Sequence, residues 1–260
     1  MDALLQGVKV LDFTYLLPGP FATMMLSDLG AEVLRVESPT RIDMARLAPP
    51  FVDKECRVSC MHATLNRNKK SLALDLKKPE CLEVIKRLIS DQGYDILVEQ
   101  FRPGAMKRLG LSYDDLSAIH PGLIYCSITG YGQTGPLRDR AGHDINYLSL
   151  SGIMSYSGRK DSGPCIMGIQ VADVGSGSNN AVIAILAAVI HRMKTGKGQY
   201  IDISMTDGLF PHHVVSGIRG LIGEEDPGFE TEMLHQPFNV LLHLQGLQKC
   251  YEELRLKTAE

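Results

Sequence analysis

"GVKVLDFTYLLPGPFATMMLSDLGAEVLRVE", residues 7–37, decides the fold. Its opening, "GVKVLDF" (7–13), gathers Val8, Val10, Leu11 and Phe13 into a β-rich run. "PGPFATMMLSDLG" (18–30) changes the period: Met24, Met25 and Leu29 recur at helical spacing, Pro20 can open a helix and Gly30 can stop it. "AEVLRVE" (31–37) returns to a strand. The first 37 residues therefore read β-α-β.

The unit recurs further on. "SLALDL" (71–76) is strand-like, and "KPECLEVIKRLISDQG" (78–93) places Leu82, Ile85, Leu88 and Ile89 on one helical face. "YDILVEQ" (94–100) is a strand, "SYDDLSAIH" (112–120) a helix with a Ser cap and an acidic first turn, and "LIYCSITG" (123–130) another strand. Short apolar strands alternating with amphipathic helices imply an α/β fold: a Rossmann-like, mostly parallel sheet covered by helices. Residues 38–66 show no period and hold Pro39, Pro49 and Pro50, so a long ordered loop is expected there. Past 130, "GYGQTGPLRDRAG" (130–142) reads as loop, 144–156 as helix, "GRKDSGPCIMGIQVADVGSGS" (158–178) as a second loop, 179–193 as a long apolar helix, and "TGKGQYIDISM" (195–205) as a turn plus a strand. No G-x-G-x-x-G follows the first strand, which disfavours a plain NAD-binding domain.

Composition narrows the function classes. A chain of 260 residues needs no covalent staples, because at this size roughly 70–75% of the unfolded surface is buried. Apolar residues make up 44%, charged residues 22%, and the net charge is −3, so neither a nucleic-acid footprint nor an anionic-membrane surface is indicated. The cysteines at 56, 60, 81, 126, 165 and 250 are scattered. No His or Cys pair at ligand spacing answers the close pair Cys56 and Cys60, so no metal site is expected. Scattered thiols without a secretory signal fit a reducing compartment: the cytoplasm of a bacterium, or a mitochondrion or peroxisome in a eukaryote. "AVIAILAAVI" (181–190) is about half a membrane span and reads as a buried helix, so no membrane partner is expected.

Two short stretches can carry chemistry. In "AGHDINYLSLSG" (141–152), His143 and Asp144 stand before a helical stretch. Either residue can cap that helix, or His143 can titrate near neutral pH in a glycine-rich region. In "VADVGSGSNN" (171–180), Asp173 precedes a Gly-Ser-Gly run and an apolar helix. It too can be a cap, or a carboxylate beside free N–H groups that could hold an oxyanion.

Seven ordered blocks between about residues 4 and 234 resemble the family III CoA-transferases, a group that includes α-methylacyl-CoA racemase and formyl-CoA transferase. They are "LLQGVKVLDFTYLLPGPFATMMLSDLGAEVLRVESP", "NRNKKSLALDLKKPE", "VEQFRPGAMKRLGL", "ITGYGQTGP", "AGHDINYLSLSG", "ADVGSGS" and "TGKGQYIDISMTDG". "AGHDINY" resembles the racemase branch, where this histidine and the aspartate of the later Gly-rich loop are the acid/base pair. The matching positions are His143 and Asp173. Transferase members keep the aspartate, which forms a mixed anhydride with the acyl group, and typically lack the histidine.

Racemisation gives that pair a physical task. Inverting a thioester α-carbon requires proton removal on one face and delivery on the other, which two flanking groups perform without moving. The enolate formed needs aimed donors, each worth roughly 2.7–4 kcal/mol in other enzymes. The N–H groups of Gly175 and Gly177 are the candidates. For CoA, the resemblance implies Arg35, Lys69, Lys70, Arg102 and Arg108 for the phosphates and Phe101 beside the adenine. No cofactor beyond the CoA moiety of the substrate is implied.

Two departures stand against the family pattern. Ser38 replaces the arginine frequent after "LRVE" in relatives, and the chain from about 235 onward, "HQPFNVLLHLQGLQKCYEELRLKTAE", shows no resemblance. Leu241, Leu244, Leu247, Tyr251 and Leu254 fall at helical spacing there, so the expected organisation is a catalytic domain over 1–230 and a helical tail over 231–260, with the family's small second domain largely missing. Relatives form interlocked dimers, so a homodimer is expected. The leading expectation is an acyl-CoA racemase or epimerase using His143 and Asp173. The alternatives are a CoA-transferase with Asp173 as nucleophile, and a shortened inactive homologue.

Overall fold

The expected strands form, each slightly shorter than its apolar run. The computed structural model describes residues 3–53, 55, 58–214 and 217. Among these, two compact units emerge, one running up to Tyr147 and including Ile169–Leu209, the other made of Leu148–Gly168 and the described residues from Phe210 on. The helical tail expected over 231–260, and the boundary at 230, lie outside the described residues.

The first unit opens as read, with β1 (Lys9–Phe13), α1 (Pro18–Asp28) and β2 (Glu32–Glu37). Pro18 rather than Pro20 starts α1, and Gly30 at φ +102° turns the chain out of it. The stretch 38–66, expected as loop, holds a 3₁₀ turn (Met44–Arg46), a hairpin of β3 (Phe51–Asp53) and β4 (Val58–Ser59), and α2 (Cys60–Leu65), which the Ser59 side chain caps. These pieces are too short to leave a periodic signal. Then follow β5 (Lys70–Ala73), α3 (Pro79–Ser90), β6 (Ile96–Glu99), α4 (Ala105–Arg108), α5 (Tyr113–Ser117) and β7 (Ile124–Thr129). Ser112 and Asp115 form a reciprocal capping box on α5, as its Ser-Tyr-Asp-Asp start suggests.

After β7 come α6 (Asp144–Leu150) and a 3₁₀ turn (Ile153–Tyr156), where a single helix over 144–156 was expected; Gly152, left-handed at φ +83°, separates them. The second unit contributes a small hairpin, β8 (Gly158–Arg159) and β9 (Gly163–Pro164). Val171–Asn179, expected as loop up to 178, is π-helical and runs directly into α7 (Asn180–Thr195), which β10 (Gln199–Ser204) follows. By length and hydropathy the 171–195 helix could cross a membrane, but here Ala181, Val182, Ile185 and Ala188 are buried within the α/β unit.

The sheet order is β10-β7-β6-β1-β2-β5, with every neighbouring pair parallel. β6 and β7 are buried at every residue, as strands covered on both faces must be. On one face, Leu11, Leu97 and Tyr125 pack with Ile85 and Ile89 of α3; each fully buried aliphatic side chain contributes about 1.5–3 kcal/mol. From β1 the strands step one way to β2 and β5, and the other way to β6, β7 and β10. The order therefore reverses between β1 and β6, the place where open α/β sheets bind ligands beyond the carboxyl ends of their strands.

Candidate active site

A cavity of about 510 Å³ opens at that reversal. Its walls come from Tyr15–Pro18 after β1, Gln100–Pro103 after β6, Thr129 and Gly130 at the end of β7, and Met205 after β10. His143, Tyr147 and Asp173 line it as well, so the two stretches singled out in the sequence meet in one space.

Asp144 joins them. Its Oδ1 accepts the backbone N–H of Asp173 at 2.9 Å, so this carboxylate caps the π-helical segment rather than its own helix. His143 stands at the start of α6, where its carbonyl accepts the Asn146 N–H at 2.8 Å and its own N–H donates to Asn146 Oδ1 at 2.9 Å. The pair thus makes helix-terminal hydrogen bonds, and His143 also lines the cavity.

Asp173 is half-buried, and its pKa is pushed up to about 6. Burial is the largest cause, the Asp144 charge adds to it, and His143 opposes. A carboxylate poised there is ionised at neutral pH but poorly solvated, which suits a nucleophile or a general base. Beside it, Tyr147 is buried, and burial followed by the Asp173 charge raises its pKa, so its hydroxyl remains a donor. The Tyr147 ring explains two glycines: a Cβ at Gly130 would lie 2.4 Å from it, and one at Gly142 2.6 Å.

The oxyanion candidates Gly175 and Gly177 lie within a helical segment and not ahead of one. Both lie inside the π-helical segment, beyond its first turn, where N–H groups are directed along the helix ladder. Gly177 is buried with its Cα against the Met205 and Pro18 side chains, and Gly175 lines a separate cavity beside α2. Small residues are required there for close packing: Ser176 donates to the Met205 carbonyl and Ser178 to the Pro18 carbonyl, both at 2.7 Å.

The cationic candidates divide. Phe101 and Arg102 line the cavity. Arg35 is buried and lines a neighbouring cavity of about 170 Å³; its Nη2 donates to Asp43 and its Nη1 makes no hydrogen bond. Lys69 is not available to a phosphate. Its ammonium is 1% exposed and donates to Asp12 (3.1 Å), the Pro20 carbonyl (2.9 Å), Thr23 (2.7 Å) and Asn66 (3.2 Å). Asp12 is wholly buried; burial would raise its pKa, but the Lys69 charge and the Thr14 and Thr23 hydroxyls hold it below the usual range. The pair fixes β1 to the chain before β5. Lys70 instead pairs with Glu32 at 3.1 Å on the exposed edge, and Arg108 stands exposed at the end of α4, outside both cavity linings.

Four further features escaped the sequence reading. Arg138 and Arg140, from a segment read only as loop, line the Asp173 cavity. Glu99, at the end of β6, is 3% exposed; Oε2 accepts the Phe101 N–H at 2.7 Å and Oε1 accepts the Ser127 hydroxyl. Burial pushes its pKa up to about 7, against those two hydrogen bonds and with help from Asp202. Leu16 has φ +61°, a left-handed conformation that costs a non-glycine residue about 1–2 kcal/mol.

Residues 5–237 match the model of CoA-transferase family III. The chain belongs to that family. It is 46% identical over 202 residues to succinyl-CoA:glutarate CoA-transferase of Homo sapiens, covering 77% of this chain and 45% of that protein. To α-methylacyl-CoA racemase of Homo sapiens it is 40% identical over 205 residues, 78% of this chain and 48% of the racemase. The crystal structure of a CAIB/BAIF family protein from Brucella suis superposes with a TM-score of 0.82 at 37% identity, covering 88% of this chain and 60% of that one. The chain therefore spans about half the length of the curated relatives it matches.

Proposed function

We propose that this chain carries the acyl-transfer centre of a CoA-transferase acting on short dicarboxylic acids, with Asp173 as acyl acceptor. The observation that carries the reading is a half-buried, ionisable Asp173 in a cavity that Arg138 and Arg140 also line. The relatives named for succinate and glutarate in Homo sapiens and Agrobacterium fabrum support the substrate class.

The chemistry balances without an external reagent. The Asp173 carboxylate attacks the thioester carbonyl, and CoA leaves as thiolate, giving a mixed anhydride. The thiolate attacks the aspartyl carbonyl and releases the first acid, leaving an aspartyl thioester. The second acid's carboxylate displaces CoA to form a new anhydride, and the thiolate attacks its acyl carbonyl. The new acyl-CoA leaves and the carboxylate returns. Desolvation strengthens Asp173 as a nucleophile, and an arginine supplies paired donors for a substrate's distal carboxylate.

A second reading, α-carbon racemisation, is favoured by one observation: His143 lines the same cavity as Asp173. The two separate on substrate. Incubation with succinyl-CoA and glutarate should yield glutaryl-CoA, with acetate a much poorer acceptor. Arg140→Ala should raise the KM for glutarate about tenfold or more, the loss expected for a charged hydrogen bond. Equal transfer to acetate and glutarate would refute the dicarboxylate assignment, and absence of any transfer would refute the transferase reading.

A further inference from the structure

We infer that Asp43 is a positioning residue: it holds Leu16 in its left-handed conformation and so shapes the wall of the Asp173 cavity. Among the described residues, Leu16 and Asn68 are the non-glycine residues with positive φ, both at +61°. Asparagine tolerates that region because its side chain bonds locally. Leucine has no such bond, so something else must hold it.

The holder comes from 27 residues later. The Leu16 N–H donates to both carboxylate oxygens of Asp43, at 3.2 and 3.4 Å. Asp43 is itself fixed from two other sides: Arg35 Nη2 donates to its Oδ2, and the Ala45 N–H donates to its Oδ1 at 3.0 Å. Its side chain is 5% exposed, so water competes little for these donors. One buried carboxylate therefore ties β2, the following turn and the β1–α1 connection together.

The consequence lies in the cavity. Tyr15, Leu16 and Leu17 form consecutive parts of its wall, and Tyr15 and Leu16 also border the smaller cavity that holds Arg35. Three residues on, the Gly19 N–H donates to Gln100 Oε1 at 3.0 Å, where a Cβ would strike Thr14 at 2.3 Å. The connection is pinned at both ends, so relaxing Leu16 to negative φ must displace Tyr15 and Leu17. The established family membership explains a ligand at this place but gives no role to Asp43. The inference rests on the proposed acyl-CoA function of the cavity.

The test compares Asp43→Asn, Leu16→Gly, Leu16→Val and the Asp43→Asn/Leu16→Gly double variant. CoA affinity is read by calorimetry, amide exchange at Leu16 by NMR, and folding by thermal melts. Asn keeps the shape of Asp43 but offers one acceptor oxygen and no charge. It should speed exchange at Leu16 and weaken CoA roughly five- to thirty-fold, the population lost when a left-handed leucine is no longer held. Glycine adopts positive φ freely, so adding Asp43→Asn to Leu16→Gly should cost less than about threefold. Both single changes at Leu16 remove wall surface, but Leu16→Val, with Asp43 intact, should weaken CoA more than Leu16→Gly does, because a β-branched residue resists positive φ. Unchanged affinity in Asp43→Asn, or a loss on adding Asp43→Asn to Leu16→Gly as large as in the unmodified chain, would overturn the inference. If Asp43→Asn does not fold, equal affinity in Leu16→Val and Leu16→Gly would overturn it. Failure of the unmodified chain to bind CoA would instead defeat the functional reading. Exchange at Leu16 would then decide alone, and an Asp43→Asn rate equal to the unmodified one would overturn the inference.

Discussion

Replacing Glu99 by glutamine should stabilise the protein at pH 8 and do little at pH 5. In the unfolded chain this carboxyl ionises near 4.5, and in the fold near 7, because burial at the end of β6 disfavours the charge. Between those values the folded state keeps a proton that the unfolded state has lost. The stabilisation is fully present below 4.5 and is lost as pH rises through 7. The shift spans about 2.5 pH units at roughly 1.4 kcal/mol each, which makes the loss between pH 5 and pH 8 about 2–3 kcal/mol. Glutamine stays neutral, can still accept the Phe101 N–H through its carbonyl, and can donate to Ser127 Oγ. At pH 5 the swap exchanges one neutral group for another of the same shape, so the variants should melt within a few degrees of each other. At pH 8 Glu99→Gln should melt about 5–10 °C higher, since 1 kcal/mol moves Tm by about 2–4 °C in a chain of this size. Thermal denaturation followed by circular dichroism from pH 5 to 8 measures the difference. A Tm difference that does not change with pH would refute the reasoning, because Glu99 would then ionise alike in both states.

Lys69→Met should cost about 3–5 kcal/mol of stability, because it leaves Asp12 charged, buried and without its cation. The folded fraction at low temperature should bind CoA normally, whereas an unchanged melt with lost affinity would return Lys69 to the phosphate site. Asp144→Asn keeps an acceptor for the Asp173 N–H but removes the charge that raises the Asp173 pKa. The acid limb of the pH–rate profile should therefore move below pH 6, and an unmoved limb would show that Asp144 does not tune Asp173.

Much of the fold was legible because its strands and long helices follow their periods. The β-α-β opening, the amphipathic α3 and the apolar α7 are formed by burial patterns that a sequence displays directly. The segment holding Asp173 was not legible. Gly175, Ser176, Gly177 and Ser178 are poor helix formers, and tertiary contacts hold them helical: a Cβ at Gly177 would crowd Met205 and Pro18, and Ser176 and Ser178 donate to the carbonyls of those same two residues. That is a tertiary constraint overriding propensity. The site divides in the same way. His143 and Asp173 stood out by chemistry and by family resemblance, and the cavity unites them. Lys69 looked like a phosphate ligand because a charge pattern does not reveal that its partner, Asp12, sits 57 residues earlier in a buried strand. Arg138 and Arg140 went unassigned because a loop carries no period to say which way it faces. The oxyanion candidates were placed at a helix start, whereas the helical segment begins several residues earlier, at Val171.

The most direct test of the account is the fate of Asp173 and of the substrate α-proton in one incubation. Succinyl-CoA, glutarate and a 2-methylacyl-CoA are supplied in deuterated buffer, hydroxylamine is added at intervals, and the peptide containing Asp173 is examined by mass spectrometry. Hydroxamate is expected at Asp173, formed only when acyl-CoA is present and abolished in Asp173→Asn, with glutaryl-CoA produced and no deuterium at the α-carbon of the 2-methylacyl-CoA. Deuterium entering a 2-methylacyl-CoA at its α-carbon, dependent on both His143 and Asp173 and without hydroxamate at Asp173, would contradict it and establish racemisation instead.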